Sequence, residues 1–165
     1  MTTAASGGLR PDEIDELLHR PVPARLATLD PDGYPCVVPV WIEWDGTTAW
    51  VVARATAAYV ADLRRDPRAG LSMVDPVDTD RRVQIRGRAT IVDGPGPMAG
   101  RTLELARTMA ERHEGPPGLA YIEETRAWSR VLIAFSPDRI RSWGSPRWHP
   151  RYPTSTIEPA GETKP

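Results

Sequence analysis

Residues Arg82 to Val92 alternate without a break: Val83, Ile85, Gly87, Ala89 and Ile91 face one way, and Arg82, Gln84, Arg86, Arg88 and Thr90 face the other. A period of two fits a strand with one buried face, because successive side chains of an extended chain point to opposite sides. A helix would scatter the same apolar residues around its circumference. The run therefore commits the chain to a sheet, and one strand cannot bury an apolar face alone. The flanking sequence must supply its neighbours.

It does so in short pieces. A helix is predicted from about Pro11 to His19, with proline at its start and Ile14, Leu17 and Leu18 on one side. Arg25–Leu29 reads as a strand, and Asp30-Pro31-Asp32-Gly33 as a turn. Cys36 to Trp44 is nearly continuous in apolar residues, which predicts a second strand buried on both faces with Cys36 as a small buried residue. Asp45-Gly46 turns the chain into a third strand, Thr48–Ala53. Ala69–Val74 is a fourth, followed by a loop from Asp75 to Asp80. Gly94-Pro95-Gly96-Pro97 breaks the chain before a helix from about Met98 to Arg112, and a short helix is expected near Tyr121 to Trp128. Val131–Phe135 and Arg139–Trp143 supply the last strand or strands, interrupted at Ser136-Pro137. Six short strands with helices between them point to a mainly β protein, a six-stranded antiparallel barrel with helical decoration rather than a doubly wound parallel sheet. The expected organisation is a disordered N-terminus over 1–9, one domain over 10–145 and a flexible proline-rich tail over 146–165.

Between the third and fourth strands lies the stretch that points to chemistry. Thr56 to Asp66 is predicted to be a short helix with Val60 and Leu63 on one face. Thr56 stands where an N-cap belongs, and Asp66 before Pro67 closes the helix. Small residues at Ala57 and Ala58 leave the first backbone N–H groups accessible, and Arg54 stands just upstream. A strand feeding such a start makes a phosphate seat, since unpaired N–H groups and the helix dipole both favour an anion.

Composition narrows the field. A formal net charge of -1 argues against a general nucleic-acid binder or a basic membrane-surface protein. Of 21 basic residues only Lys164 is lysine, a skew that a GC-rich coding sequence produces, so arginine abundance alone carries no function. The single Cys36 excludes an internal disulfide and a multi-cysteine zinc site. No stretch is long and apolar enough for a membrane helix, and the N-terminus lacks the apolar core of a signal peptide, so a cytoplasmic protein is expected. No nucleophile motif occurs, and His19, His113 and His149 are scattered, so no metal site is predicted.

Four segments, in this order, carry a resemblance. They are Ala27-Thr28-Leu29 with Asp32-Gly33-Tyr34-Pro35; Val38-Pro39-Val40-Trp41 with Asp45-Gly46; Leu63-Arg64-Arg65-Asp66-Pro67-Arg68; and Val83 through Gly87 with Ala89. Together they are similar to the split β-barrel family of pyridoxamine-phosphate-oxidase-like flavin and deazaflavin proteins, over roughly residues 10–145. The third segment is similar to the helix end of the deazaflavin branch. The resemblance implies a homodimer with two cofactor sites at the subunit interface, binding the deazaflavin F420 or, second, flavin mononucleotide (FMN). The cofactor ring would lie against Pro39, Val40 and Trp41, and its phosphate near Arg54, Thr56, Ala57 and Tyr59. Residues from the partner's later strands would complete the site. Arg82 and Gln84 on the polar ladder are candidates; Arg86 and Arg88 are weaker ones. Trp143 with Arg147 loosely resembles a late tryptophan–arginine pair of the oxidase relatives. Many relatives carry lysine, often with a further basic residue, where this chain has Tyr59 and Ala57; a charge-assisted contact worth roughly 1.5–3 kcal/mol is missing there.

The function implied is an F420- or FMN-dependent oxidoreductase passing hydride to a small conjugated or aromatic substrate. The absence of a protein nucleophile suits such an enzyme, because the cofactor carries the hydride. The alternative is a non-catalytic relative that binds haem or stores flavin, with His19, His113 or His149 as axial candidates. An inert dimer with partner-binding duties is a third reading.

Overall fold

A computed structural model describes residues 8–144. The segment 1–7 and the stretch 145–165, with Arg147 and His149, lie outside the described residues. In chain order the elements are α1 (Pro11–Leu18), β1 (Ala24–Leu29), β2 (Pro35–Val40), β3 (Glu43–Trp44), β4 (Ala49–Arg54), α2 (Ala58–Arg65), β5 (Arg68–Val74), β6 (Arg82–Gly96), α3 (Gly100–Glu114), α4 (Pro116–Glu124) and β7 (Arg130–Trp143). All strand pairs are antiparallel and form one seven-stranded sheet in the order β2-β1-β5-β6-β7-β4-β3. The expected six strands become seven, and the sheet is not closed.

The two sheet edges are nevertheless close together. β2 ends one edge and β3 the other, and only Trp41 and Ile42 join them. Three Cα steps cover at most about 11 Å. The sheet must therefore curl until its edges almost meet, which is a split barrel. Its interior holds Leu26, Val51, Leu71, Met73, Val83, Ile85, Ile133 and Phe135, each at most 2 % exposed. Leu17 and Leu18 of α1 and Val60 and Leu63 of α2 join the same core. Leu9 is also buried there, and its amide donates to Ser142 Oγ at 3.0 Å. No helix among the described residues is long and apolar enough to cross a membrane.

Four expectations need correction. The first is the strand expected from Cys36 to Trp44, which is two elements. β2 is an edge strand, hydrogen-bonded only to β1, and most of it is exposed, including Cys36. Pro35 and Pro39 lack N–H groups and are tolerated at an edge, a signal that outweighs the apolar run. Second, Thr56 is not the cap: α2 starts at Ala58 with Ala57 as N-cap and no side-chain cap bond. Third, α4 begins at Pro116, directly after Gly115 at φ 63, because proline suits the first helical turn.

The fourth is that β7 is continuous through Ser136-Pro137. A register shift carries it past the break, with Arg86 opposite Arg139 and Gly87 opposite Pro137, so Asp138 is skipped as in a bulge. Gly87 permits this: a Cβ there would lie 2.1 Å from the Ser136 carbonyl oxygen.

Candidate functional site

The N-terminal end of α2 forms one side of a cavity of about 530 Å³, within the range of small-molecule sites. β4 ends at Arg54, and a turn closed by Ala57 N–H to Arg54 C=O at 3.0 Å leads into the helix. β2 and its exit contribute Pro39, Val40 and Trp41; β4 contributes Val52, Ala53 and Arg54. Ala57 and Tyr59 of the α2 turn, Ala106 and Met109 of α3, and Tyr121 and Ile122 of α4 line it too. α3 and α4 are held against the outer face of β4 by a small core of Met98, Leu103, Ala106, Ala110 and Ile122, on which Trp41 and Val52 pack. Six residues singled out from sequence thus meet in one cavity: Pro39, Val40, Trp41, Arg54, Ala57 and Tyr59. Thr56 is exposed on the adjoining turn.

One end of the cavity is cationic. Arg130, at the start of β7, is 6 % exposed and lies directly opposite Arg54 in the β4–β7 ladder. Arg54 Nη2 donates to the Tyr121 hydroxyl at 3.1 Å. Arg130 Nη2 donates to the same oxygen at 3.3 Å and to Thr125 Oγ1 at 3.3 Å. Both guanidiniums also flank the Trp128 ring, at 5.1 and 5.5 Å from its centre. No carboxylate among the described residues lines the cavity. The Arg54 hydrogen bond, reinforced by Arg130, holds the Tyr121 phenol below the ordinary tyrosine value. Burial pushes the Tyr59 phenol upward, and the charge of Arg130 works the other way.

Arg130 and Tyr121 were not legible as site residues. Arg130 directly precedes an apolar strand, and only the long-range register sets it against Arg54.

The two described histidines, His19 and His113, stand apart from the cavity. His113 stacks on Trp41 with ring centres 4.9 Å apart and planes at 11°, behind the cavity wall. Its Nε2 is buried without a hydrogen-bond partner among the described residues, and burial, then Arg112, lowers its basicity. His19 is exposed just past the end of α1, with Nδ1 2.7 Å from the Asp15 carbonyl oxygen. Among the described residues no group of three or more His, Cys, Asp or Glu could hold a metal ion.

Arg82, Gln84 and Trp143 do not line this cavity. Arg82 lies over the Trp143 ring at 5.7 Å. Gln84 lines a second groove of about 590 Å³, with Arg25, Arg68, Arg86, Arg139 and Arg141. Arg88 is exposed on the same strand, opposite Arg68.

The fold is that of a split-barrel protein, and the cavity is its candidate site. The sequence profile of the pyridoxamine 5'-phosphate oxidase family matches residues 11–144, and the chain belongs to that family. Among solved structures it is similar to the conserved hypothetical protein Rv2991 from Mycobacterium tuberculosis, at TM-score 0.70 and 27% identity, covering 86% of this chain and 89% of that one. An F420 reductase aligns at TM-score 0.60 and 26% identity over 76% of this chain and 94% of its own. HutZ, the haem storage protein from Vibrio cholerae, shares the fold at TM-score 0.61 and 18% identity, over 81% and 95%. A search of the curated proteins gives no match.

Proposed function

We propose that this chain is an oxidoreductase that binds the deazaflavin F420, or FMN, in the cavity between β2, β4 and α2, and passes hydride to a small conjugated or aromatic substrate. The observation that carries the reading is the division of the cavity. Its walls are apolar and partly aromatic along Val40, Trp41, Val52, Ala106 and Met109, and its polar end holds Arg54 and Arg130 with no acid among the described residues. That division suits a flat ring joined to a phosphate: burial holds the ring and the guanidiniums hold the charge. Bound there, such a cofactor supplies the hydride. The chain's own residues orient the ring, exclude water from one face and neutralise the phosphate. Similarity to an F420 reductase supports reading deazaflavin ahead of FMN.

A homodimer is part of the proposal. β2 exposes Val37 at 61% and follows Tyr34 at 71%, an apolar edge suited to a second copy. Arg82, Gln84 and Trp143 could then reach a cofactor only from the partner protomer. The exposed free thiol of Cys36 suits a reducing compartment, in keeping with a cytoplasmic enzyme.

The second reading, a haem-binding protein, is favoured by the likeness to HutZ. Against it, no histidine among the described residues lines the cavity, which leaves tyrosine and methionine as the ligand types they offer there. The absorbance spectrum of the purified protein tests both. A deazaflavin or flavin band supports the proposal, and a Soret band overturns it.

A further inference from the structure

We propose that His113 is a positioning residue: it backs the Trp41 indole from outside the cavity, fixes it as the wall for a ligand's ring, and does so only while its imidazole is neutral. The inference rests on the reading that the cavity takes a flat ring against Trp41. It adds the residue that sets this wall and the pH range in which the wall holds.

Trp41 is half-buried and lies in the two-residue link between β2 and β3, outside any strand. With no ladder to orient it, its ring takes its position from what packs on it. The last turn of α3 supplies that packing. The His113 imidazole lies nearly parallel to the indole, with centres 4.9 Å apart and planes at 11°, and His113 itself does not line the cavity. The preceding residue, Arg112, donates from Nη2 to Glu43 Oε1 of β3 at 2.8 Å, and both side chains are largely buried. The helix end therefore grips this link twice, at Trp41 and just beyond it at Glu43.

The grip depends on charge state. His113 Nε2 is buried with no hydrogen-bond partner among the described residues. A neutral ring can carry its proton on Nδ1 and leave Nε2 a bare acceptor, but an imidazolium must place an N–H there with nothing to accept it. The charged groups acting on the ring are Arg112 and Glu114 of α3 and Glu43 of β3. The two carboxylates and the C-terminal end of α3 favour the cation. Burial, then Arg112, oppose it and prevail. A cation over an indole is attractive by itself, so the sign of the pH effect shows which influence governs. A ligand ring pressed on Trp41 holds the indole against His113 and makes protonation harder still. By linkage, protonating His113 must then weaken the ligand.

FMN titration and imidazole NMR on wild type, His113→Phe and His113→Ala test the proposal. His113→Phe keeps a flat ring on Trp41 that cannot take a proton, and His113→Ala removes it. The imidazole signals lost in His113→Phe should titrate below the ordinary 6.5 in wild type, and lower again with FMN bound. Between about pH 7.5 and 5 the FMN dissociation constant of wild type should rise about threefold or more relative to His113→Phe. The FMN phosphate titrates alike in both proteins and cancels in that ratio. Near neutral pH His113→Ala should bind severalfold more weakly, with His113→Phe close to wild type. A ratio that stays constant or falls on acidification overturns the charge dependence, and wild-type affinity in His113→Ala overturns the positioning role. If neither FMN nor F420 binds, the cofactor reading fails and the free protein decides the rest. In protein labelled with fluorotryptophan, the fluorine line lost in Trp41→Phe should shift as His113 titrates and broaden in His113→Ala. A line indifferent to both overturns the proposal.

Discussion

Replacing Arg54 with alanine separates a residue that holds a ligand from one that holds the fold. Arg54 is exposed, and in the free protein it makes one hydrogen bond to Tyr121 and one cation–π contact with Trp128. The hydrogen bond contributes about 0.5–1.5 kcal/mol, and the exposed cation–π contact about 0.5–1 kcal/mol. Removing Arg54 also relieves its repulsion with Arg130 across the ladder, worth about 0.2–1 kcal/mol. Stability should therefore fall by at most about 2 kcal/mol, and by less where the relief is large. The ligand's phosphate loses a charge-assisted contact of about 1.5–3 kcal/mol, a roughly tenfold to 150-fold drop in affinity. Urea denaturation gives the first quantity and titration with F420 or FMN the second. Unchanged cofactor affinity in Arg54→Ala would remove the β4–α2 turn from the site. A stability loss well above about 2 kcal/mol would show that Arg54 is a structural residue.

Further outcomes follow from other parts of the molecule. Gly87→Ala puts a methyl group 2.1 Å from the Ser136 carbonyl oxygen. It should cost about 1–3 kcal/mol in a urea melt, and full stability would refute the close β6–β7 approach. Asp45 is held at about 2; burial opposes this, but the Trp50 indole, the Thr48 and Thr47 amides and the Thr47 hydroxyl donate to its carboxylate. A carboxyl lowered in the fold stabilises above its ordinary value, so this contribution is intact above about pH 4 and is lost as pH falls towards 2. Melting temperature against pH should show that acid limb, and Asp45→Asn should flatten it; identical profiles would contradict the assignment. If β2 is a dimer interface, a thiol reagent should label Cys36 slowly in concentrated protein and faster on dilution. Rapid labelling at every concentration, with a scattering mass equal to the 18.2 kDa chain, would refute the dimer.

How far the sequence reveals this protein depends on the range of each interaction. Alternation from Arg82 to Val92 is a local signal, and β6 follows it with Val83, Ile85, Gly87 and Ala89 buried. Pro39, Val40, Trp41, Arg54, Ala57 and Tyr59, which the resemblance implies for the cofactor, line one cavity. The edge position of β2 is hidden because an apolar run looks the same whether its faces are covered by its own chain or left exposed; only Pro35 and Pro39 mark it as an edge. The pairing of Arg54 with Arg130 joins residues 54 and 130 through the β4–β7 register, which no local pattern encodes. The break expected at Ser136-Pro137 is absorbed by a bulge whose enabling residue, Gly87, lies on the neighbouring strand.

The central claim is that the cavity at the β4–α2 turn holds a phosphate-bearing deazaflavin or flavin. Titrating F420 and then FMN into the purified protein, followed by the shift in cofactor absorbance, tests it most directly. Saturation at one cofactor per chain is the predicted result, with the midpoint moved about tenfold or more in Arg54→Ala. If neither cofactor's spectrum changes at concentrations well above the protein's, or if only haemin binds, the claim is contradicted.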